Sequence, residues 1–247
     1  MNNQATLDRL RDLKLTGMYQ AFEALLQLPI HQQPPADALL AQLTDAEYEY
    51  RQQRKTQMAI RAARFRYTAS LEELHYADGR NLDKTAILRL ADCRFIDRSE
   101  NIFLTGATGC GKSYIASALG YQACQLGYRV GYHNLIKLLQ RLQLAKVDGS
   151  YQKEMSRLER LNLLILDDWG LQPLDQHAQL ALLQIMEDRH GKAATIITSQ
   201  LPVSKWHEYI GDPTLADAIL DRITHKAHRL DLKGESMRRK QGVVTDK

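Results

Sequence analysis

Gly106-Ala107-Thr108-Gly109-Cys110-Gly111-Lys112-Ser113 fits the pattern G-x-x-x-x-G-K-[ST], and its surroundings fit as well. An apolar, strand-like run precedes it, Asn101-Ile102-Phe103-Leu104-Thr105. A helical stretch follows, with Ile115, Ala118, Leu119 and Cys124 recurring one or two turns apart. The glycines let successive backbone N–H groups turn inward as an anion nest, and the next helix adds the partial positive charge of its N-terminus. Lys112 is then expected to reach the β- and γ-phosphates, the Ser113 hydroxyl to ligate Mg²⁺, and Tyr114 to complete the nucleotide-binding segment. A strand, this loop and a helix in sequence predict an α/β fold that binds a nucleoside triphosphate.

The 247 residues suit one α/β domain with a smaller appendage. No apolar run approaches the length of a membrane span, and the start, Met1-Asn2-Asn3-Gln4, lacks the basic and apolar regions of a secretory signal. Cys93, Cys110 and Cys124 form no C-x-x-C pair and read as reduced thiols, so a cytoplasmic location is expected. Cys110 stands beside the expected phosphates, where its thiol is open to oxidation. The net charge is +4: residues 1–100 balance 14 basic against 14 acidic groups, and residues 101–247 hold 19 against 15. The excess on the nucleotide-binding half fits contact with a polyanion without demanding it.

A helical front end is expected over residues 1–67, a connector over 68–98 and the nucleotide-binding domain over 99–247. Leu7, Leu10, Leu13, Met18, Phe22, Leu25 and Leu26 recur at mostly helical spacing, and Pro29, Pro34 and Pro35 interrupt it. Thr44 with Glu47 resembles a capping box opening a long polar helix. From residue 101, apolar runs alternate with helical patterns, as in a parallel sheet covered on both faces. Strands are expected at 101–105, 128–132, 162–167, 194–198 and 228–232. Helices are expected at 113–126, 134–147, 150–160, 175–190, 203–210 and 214–226.

The chemistry falls at strand ends, where open α/β sheets bind ligands. Leu163-Leu164-Ile165-Leu166-Asp167-Asp168 is an apolar strand ending in two carboxylates. Asp167 is expected to hold the Mg²⁺ shell and Asp168 to deprotonate the attacking water. At the next strand end, Gln200 or Ser199 is placed to hydrogen-bond the γ-phosphate or that water. Arg222, in Ile219-Leu220-Asp221-Arg222-Ile223, is either an arginine finger reaching a neighbouring subunit's γ-phosphate or the partner of a local Asp217 or Asp221 carboxylate. The segment after the second strand carries Lys137, Arg141, Lys146 and Lys153, a surface suited to tracking DNA phosphates, with Tyr132, His133 and Tyr151 as stacking candidates. His225 and His228 lack partners for a metal site and read as structural, and Trp169-Gly170 as a locally packed turn.

Taken in order, Arg94-Phe95-Ile96, Glu100-Asn101, the Gly106–Ser113 loop, Leu164–Gly170, Thr195–Pro202, Ile219–Ile223 and Leu232–Arg238 resemble the IstB-type helper ATPases of insertion sequences, relatives of DnaC-type helicase loaders. The resemblance implies an AAA+ core of the initiator clade with a parallel sheet in 5-1-4-3-2 order. It implies ATP and Mg²⁺ as cofactors, ATP-driven homo-oligomeric assembly on DNA (duplex favoured, largely independent of sequence) and a cognate transposase as partner. It also implies Lys112, Ser113, Asp167, Asp168 and Arg222 in the roles given above. Asp168 stands where the wider AAA+ pattern has Glu, one methylene longer. No C-terminal lid domain is expected after the fifth strand, and Arg238 or Arg239 is the candidate to replace a lid-borne arginine. A helicase loader gripping single-stranded DNA is the close alternative. A small-molecule phosphotransferase would need an acceptor-binding lid and has no use for Arg222 in trans.

Overall fold

In the computed structural model, residues 3–76, 79–234 and 237 are described. The chain divides into two compact units, 1–58 and 59–247. The division comes earlier than the expected boundary at residue 67, because Ala59, Ile60, Ala63 and Phe65 pack into the core of the second unit.

The first unit contains helices α1 (Asn3–Asp12), α2 (Thr16–Leu26) and most of α3 (Ala36–Ala63). The expected capping box does not open a helix. Thr44 lies inside α3 and returns its hydroxyl to the Leu40 carbonyl (2.8 Å). Glu47 caps a different helix: its carboxylate accepts the Gly17 and Met18 N–H groups of α2 at 2.7 and 3.2 Å. A Cβ on Gly17 would lie 2.4 Å from the Ala46 carbonyl oxygen, so only glycine admits this approach.

The second unit adds α4 (Lys84–Ala91) and α5 (Arg94–Asp97), then a parallel sheet and its crossover helices. The strands are β1 (Asn101–Gly106), β2 (Val130–Asn134), β3 (Leu163–Trp169), β4 (Ala194–Ser199) and β5 (Ala227–Leu232). The helices between them are α6 (Lys112–Gln125), α7 (Leu135–Val147), α8 (Tyr151–Glu159), α9 (Gln176–Arg189), α10 (Trp206–Ile210) and α11 (Pro213–Thr224). The strand order is β2-β3-β4-β1-β5, the expected 5-1-4-3-2 order read from the other edge, and each pairing is parallel.

Strand alternation explains the two-sided core. Ile102, Leu104, Leu163 and Ile165 face α6 and the 59–96 segment, together with Ile87, Phe95 and Ile115. Phe103, Leu164, Leu166 and Ile197 face the α7, α9 and α11 side, where Leu138, Leu182 and Ile219 are fully or nearly fully buried. The loop after β1 and the acidic end of β3 therefore emerge at the same, C-terminal edge of the sheet.

Candidate functional site

The loop from Gly106 to Gly111 joins β1 to α6, and its shape depends on its glycines. Gly111 sits at φ +96° immediately before α6. A Cβ on Gly106 would lie 2.1 Å from the Leu232 carbonyl oxygen of β5, so no larger residue fits beneath the loop. Lys112 is buried, and its ammonium donates to the Gly106 and Ala107 carbonyls at 2.7 and 2.8 Å. Ala107 and Thr108 are exposed at the rim, with Gly109 half-buried beside them. Cys110 is 1 % exposed, which corrects the expectation of an oxidisable thiol. Its carbonyl accepts Arg80 Nη2 at 2.9 Å.

Regular strands point adjacent side chains to opposite faces. Asp167 and Asp168 escape that rule because β3 shifts register against β4 between Leu166 and Trp169, and Asp168 takes a left-handed φ of +64°. Both carboxylates consequently meet one guanidinium, Arg66 Nη1, at 3.1 and 3.3 Å.

Asp167 is completely buried. Its Oδ1 accepts Ser113 Oγ (2.7 Å) and the Thr198 hydroxyl, and its Oδ2 accepts the Tyr132 hydroxyl and Arg66. Burial would raise this carboxyl, but the hydrogen bonds from Thr198, Tyr132, Ser113 and Arg66 together hold it below the ordinary carboxylate value. Burial and the Asp167 charge both push the Tyr132 phenol up. Asp168 is partly exposed, and its Oδ2 also accepts Asn134 Nδ2 at 2.8 Å.

Ser113 Oγ and Asp167 Oδ1 stand side by side, and hydroxyl and carboxylate oxygens make up the donor set around them. That set fits a hard divalent cation, which takes one or two protein oxygens together with those of a nucleotide. No cluster of three His, Cys, Asp or Glu side chains suited to a metal occurs among the described residues.

Gln200 is exposed after β4, and its Oε1 accepts the Thr108 hydroxyl at 2.7 Å, so it stands at the phosphate loop. Ser199, the other candidate at that strand end, is buried and donates to the Trp169 carbonyl. Trp169 ends β3 and is buried in the core against Trp206 and Tyr209, so its packing is long-range and not that of a local turn.

A cleft of about 550 Å³ opens beside the loop, lined by Tyr67, Thr68, Leu74, His75, Arg80, Gly111, Lys112, Ser113 and Tyr114. Tyr114 donates its hydroxyl to Glu73 (2.8 Å), and its ring lies 6.3 Å from that of Tyr67. The cleft is of nucleotide size and mixes aromatic with polar walls. Tyr67, Thr68, Glu73, Leu74, His75 and Arg80, from the stretch read as a connector, thus form a wall of the site.

Arg222 lies elsewhere. Its guanidinium binds the Glu187 carboxylate of α9 and the Ala218 carbonyl, while the nearby Asp217 pairs with His207. The local partner is therefore Glu187 and neither Asp217 nor Asp221. Arg222 also lines a second cleft, of about 200 Å³, with Arg98, Asn101, Arg189, Thr195 and Lys226. Asn101 and Thr195 are the first residue of β1 and the second of β4, so this cleft is at the end of the strands opposite the phosphate loop.

Of the four expected DNA contacts, Lys137, Lys146 and Lys153 are exposed, and Arg141 is paired with Glu154 at 3.3 Å. Tyr132 is buried against Asp167 and His133 is partly buried, so neither is presented for base stacking. Tyr151 bonds Gln184 and lies under the Lys146 ammonium. His228 has an acidic neighbour after all, Glu100 Oε2 at 2.8 Å. Arg238 and Arg239 lie outside the described residues.

Arg66, Thr198 and Asn134 were not anticipated. Asn134 carried a faint signal, since it ends the strand adjacent to the acidic one. Arg66, about a hundred positions from its partners, carried none.

The chain matches the family model described as IstB-like ATP binding protein over residues 8–244. It is 45 % identical over 236 residues to the insertion sequence ATP-binding protein y4pL of Sinorhizobium fredii, with 96 % of each chain covered. It is 32 % identical over 237 residues to the insertion sequence IS21 ATP-binding protein of Pseudomonas aeruginosa, covering 94 % of this chain and 89 % of that one. Its fold is similar to that of a solved DnaC helicase loader, with a TM-score of 0.55 and 19 % identity, covering 68 % of this chain and 98 % of that one.

Proposed function

The chain belongs to the IstB-like ATP-binding protein family, and from that membership we propose that it hydrolyses ATP while assembled on duplex DNA, in support of a cognate transposase. The observation that carries hydrolysis is the bulged end of β3, where two carboxylates share one side next to Ser113 and the phosphate loop.

The loop N–H groups and Lys112 hold the β- and γ-phosphates, and the wall of Tyr67, Thr68, Leu74, His75 and Arg80 receives the base. Ser113 and Asp167 would hold Mg²⁺, which would neutralise the charge developing on the phosphates. Thr198 and Tyr132 fix the Asp167 carboxylate in its buried position. Asp168 accepts the proton of the attacking water, and Asn134 sets the direction of its carboxylate. Gln200, tied to Thr108, reaches the γ-phosphate side of the loop. Arg222 stands at the opposite end of the strands and cannot serve its own site, which supports action on a neighbour's γ-phosphate. Exposed Lys137, Lys146 and Lys153 contact DNA phosphates irrespective of sequence, as Arg141 would once freed from Glu154.

Two variants assayed with duplex DNA test this reading. Lys112→Ala loses nucleotide binding and nucleotide-dependent growth in particle size. Asp168→Asn keeps nucleotide binding, slows hydrolysis by about 10²-fold or more and accumulates the DNA-bound assembly. Parental hydrolysis by either variant would refute its assigned role. Assembly on single-stranded DNA in preference to duplex would favour a helicase-loader role instead.

A further inference from the structure

We propose that Arg66 is a positioning residue of the hydrolytic site, an internal cation that holds Asp167 and Asp168 together and gives way when nucleotide-bound divalent metal takes the same oxygens. This rests on the nucleotide reading above and adds to it a competition built into the chain.

The acceptor count argues for competition. Asp167 Oδ1 already accepts Ser113 and Thr198, and its Oδ2 accepts Tyr132 and Arg66. Asp168 Oδ2 accepts Arg66 and Asn134. A carboxylate with two donors on each oxygen has no lone pair left for a metal or its waters. One donor has to leave. Tyr132 and Thr198 are buried and locked in place, and Ser113 is itself an expected metal ligand. Arg66 is the donor that can move: its side chain is 41 % exposed, and the only acidic groups it meets among the described residues are these two.

The second argument is electrostatic. Two adjacent carboxylates, one fully buried, repel each other unless a cation stands between them. Arg66 supplies that cation from the chain itself, keeping the acidic pair in place ahead of the metal. Its departure also frees a lone pair on Asp168 Oδ2. The guanidinium lies 5.6 Å from the Tyr67 ring, in the wall of the nucleotide cleft, so the residue that must move adjoins the surface that senses the ligand.

The test is the affinity of a fluorescent, non-hydrolysable ATP analogue measured with Mg²⁺ and with EDTA, for the parent chain, Arg66→Ala and Arg66→Lys. For Arg66→Ala the ratio of the Mg²⁺ to the EDTA affinity is expected to rise about two- to fivefold, the range for a partly exposed ion pair. Arg66→Lys restores the charge and should return the ratio towards the parental one, which a merely structural lesion would not do. An Arg66→Ala ratio that stays the same or falls overturns the proposal, as does a rise that Arg66→Lys leaves unreversed. If the parent binds the analogue in neither buffer, the nucleotide reading itself fails and takes this proposal with it.

Discussion

His133 shows how one partly buried imidazole can set an acid limit on the fold. Burial, reinforced by the Arg141, Arg157 and Arg64 charges, depresses its imidazole to about 4. A native state that binds fewer protons than the unfolded chain gains stability as pH rises. The contribution of His133 is therefore complete above its unfolded value of about 6.5 and is lost as pH falls towards 4. Between pH 7 and pH 5 this amounts to about 1–2 kcal/mol. In urea titrations, His133→Gln should lose less stability than the parent over that interval, and identical pH slopes would exclude the effect. At this scale the sequence was legible where function constrains neighbours along the chain. Gly106 to Ser113 join β1 to α6 and Asp167-Asp168 lie at the end of β3, the positions that their spacing along the chain implied. Arg66, Thr198 and Tyr132 could not be placed in this way, because each reaches Asp167 through the fold alone.

Among the elements, the sheet and the helical front end followed the sequence, and the cap assigned to Thr44 and Glu47 did not. Every strand lies within two residues of its expected position, since alternation inside a two-sided core leaves little freedom of register. The exception is instructive: the β3 bulge that turns Asp168 towards Arg66 leaves no trace in the apolar pattern. In α3, Thr44 and Glu47 had the spacing of a cap but the surroundings of a helix interior, and Glu47 capped α2 instead. Helices α7 and α8 carry the DNA prediction. Changing Lys137, Lys146 and Lys153 together to Ala should weaken binding to all duplexes alike. The slope of log affinity against log salt should flatten by about 0.9 for each phosphate the protein no longer neutralises. An unchanged slope would exclude α7 and α8 as the DNA-binding surface.

For the whole molecule, the central claim is that hydrolysis belongs to an assembly and is incomplete in a single chain. The parallel sheet separates the groups to which the proposal assigns hydrolysis: Lys112, Ser113, Asp167 and Asp168 stand at one end of the strands, and Arg222 stands at the other, held by Glu187. A finger that leaves Glu187 for a neighbour's γ-phosphate would accelerate hydrolysis by about 10³–10⁵. Activity should then rise more steeply than protein concentration. The most direct measurement mixes two defective chains, Arg222→Ala and Asp168→Asn, in equal amounts with ATP and duplex DNA. Each alone should bind nucleotide and hydrolyse slowly. Together they should recover hydrolysis, because an intact Asp168 site on one chain can meet an intact Arg222 from the other. A mixture that co-assembles on DNA yet stays as slow as its components would contradict the composite site.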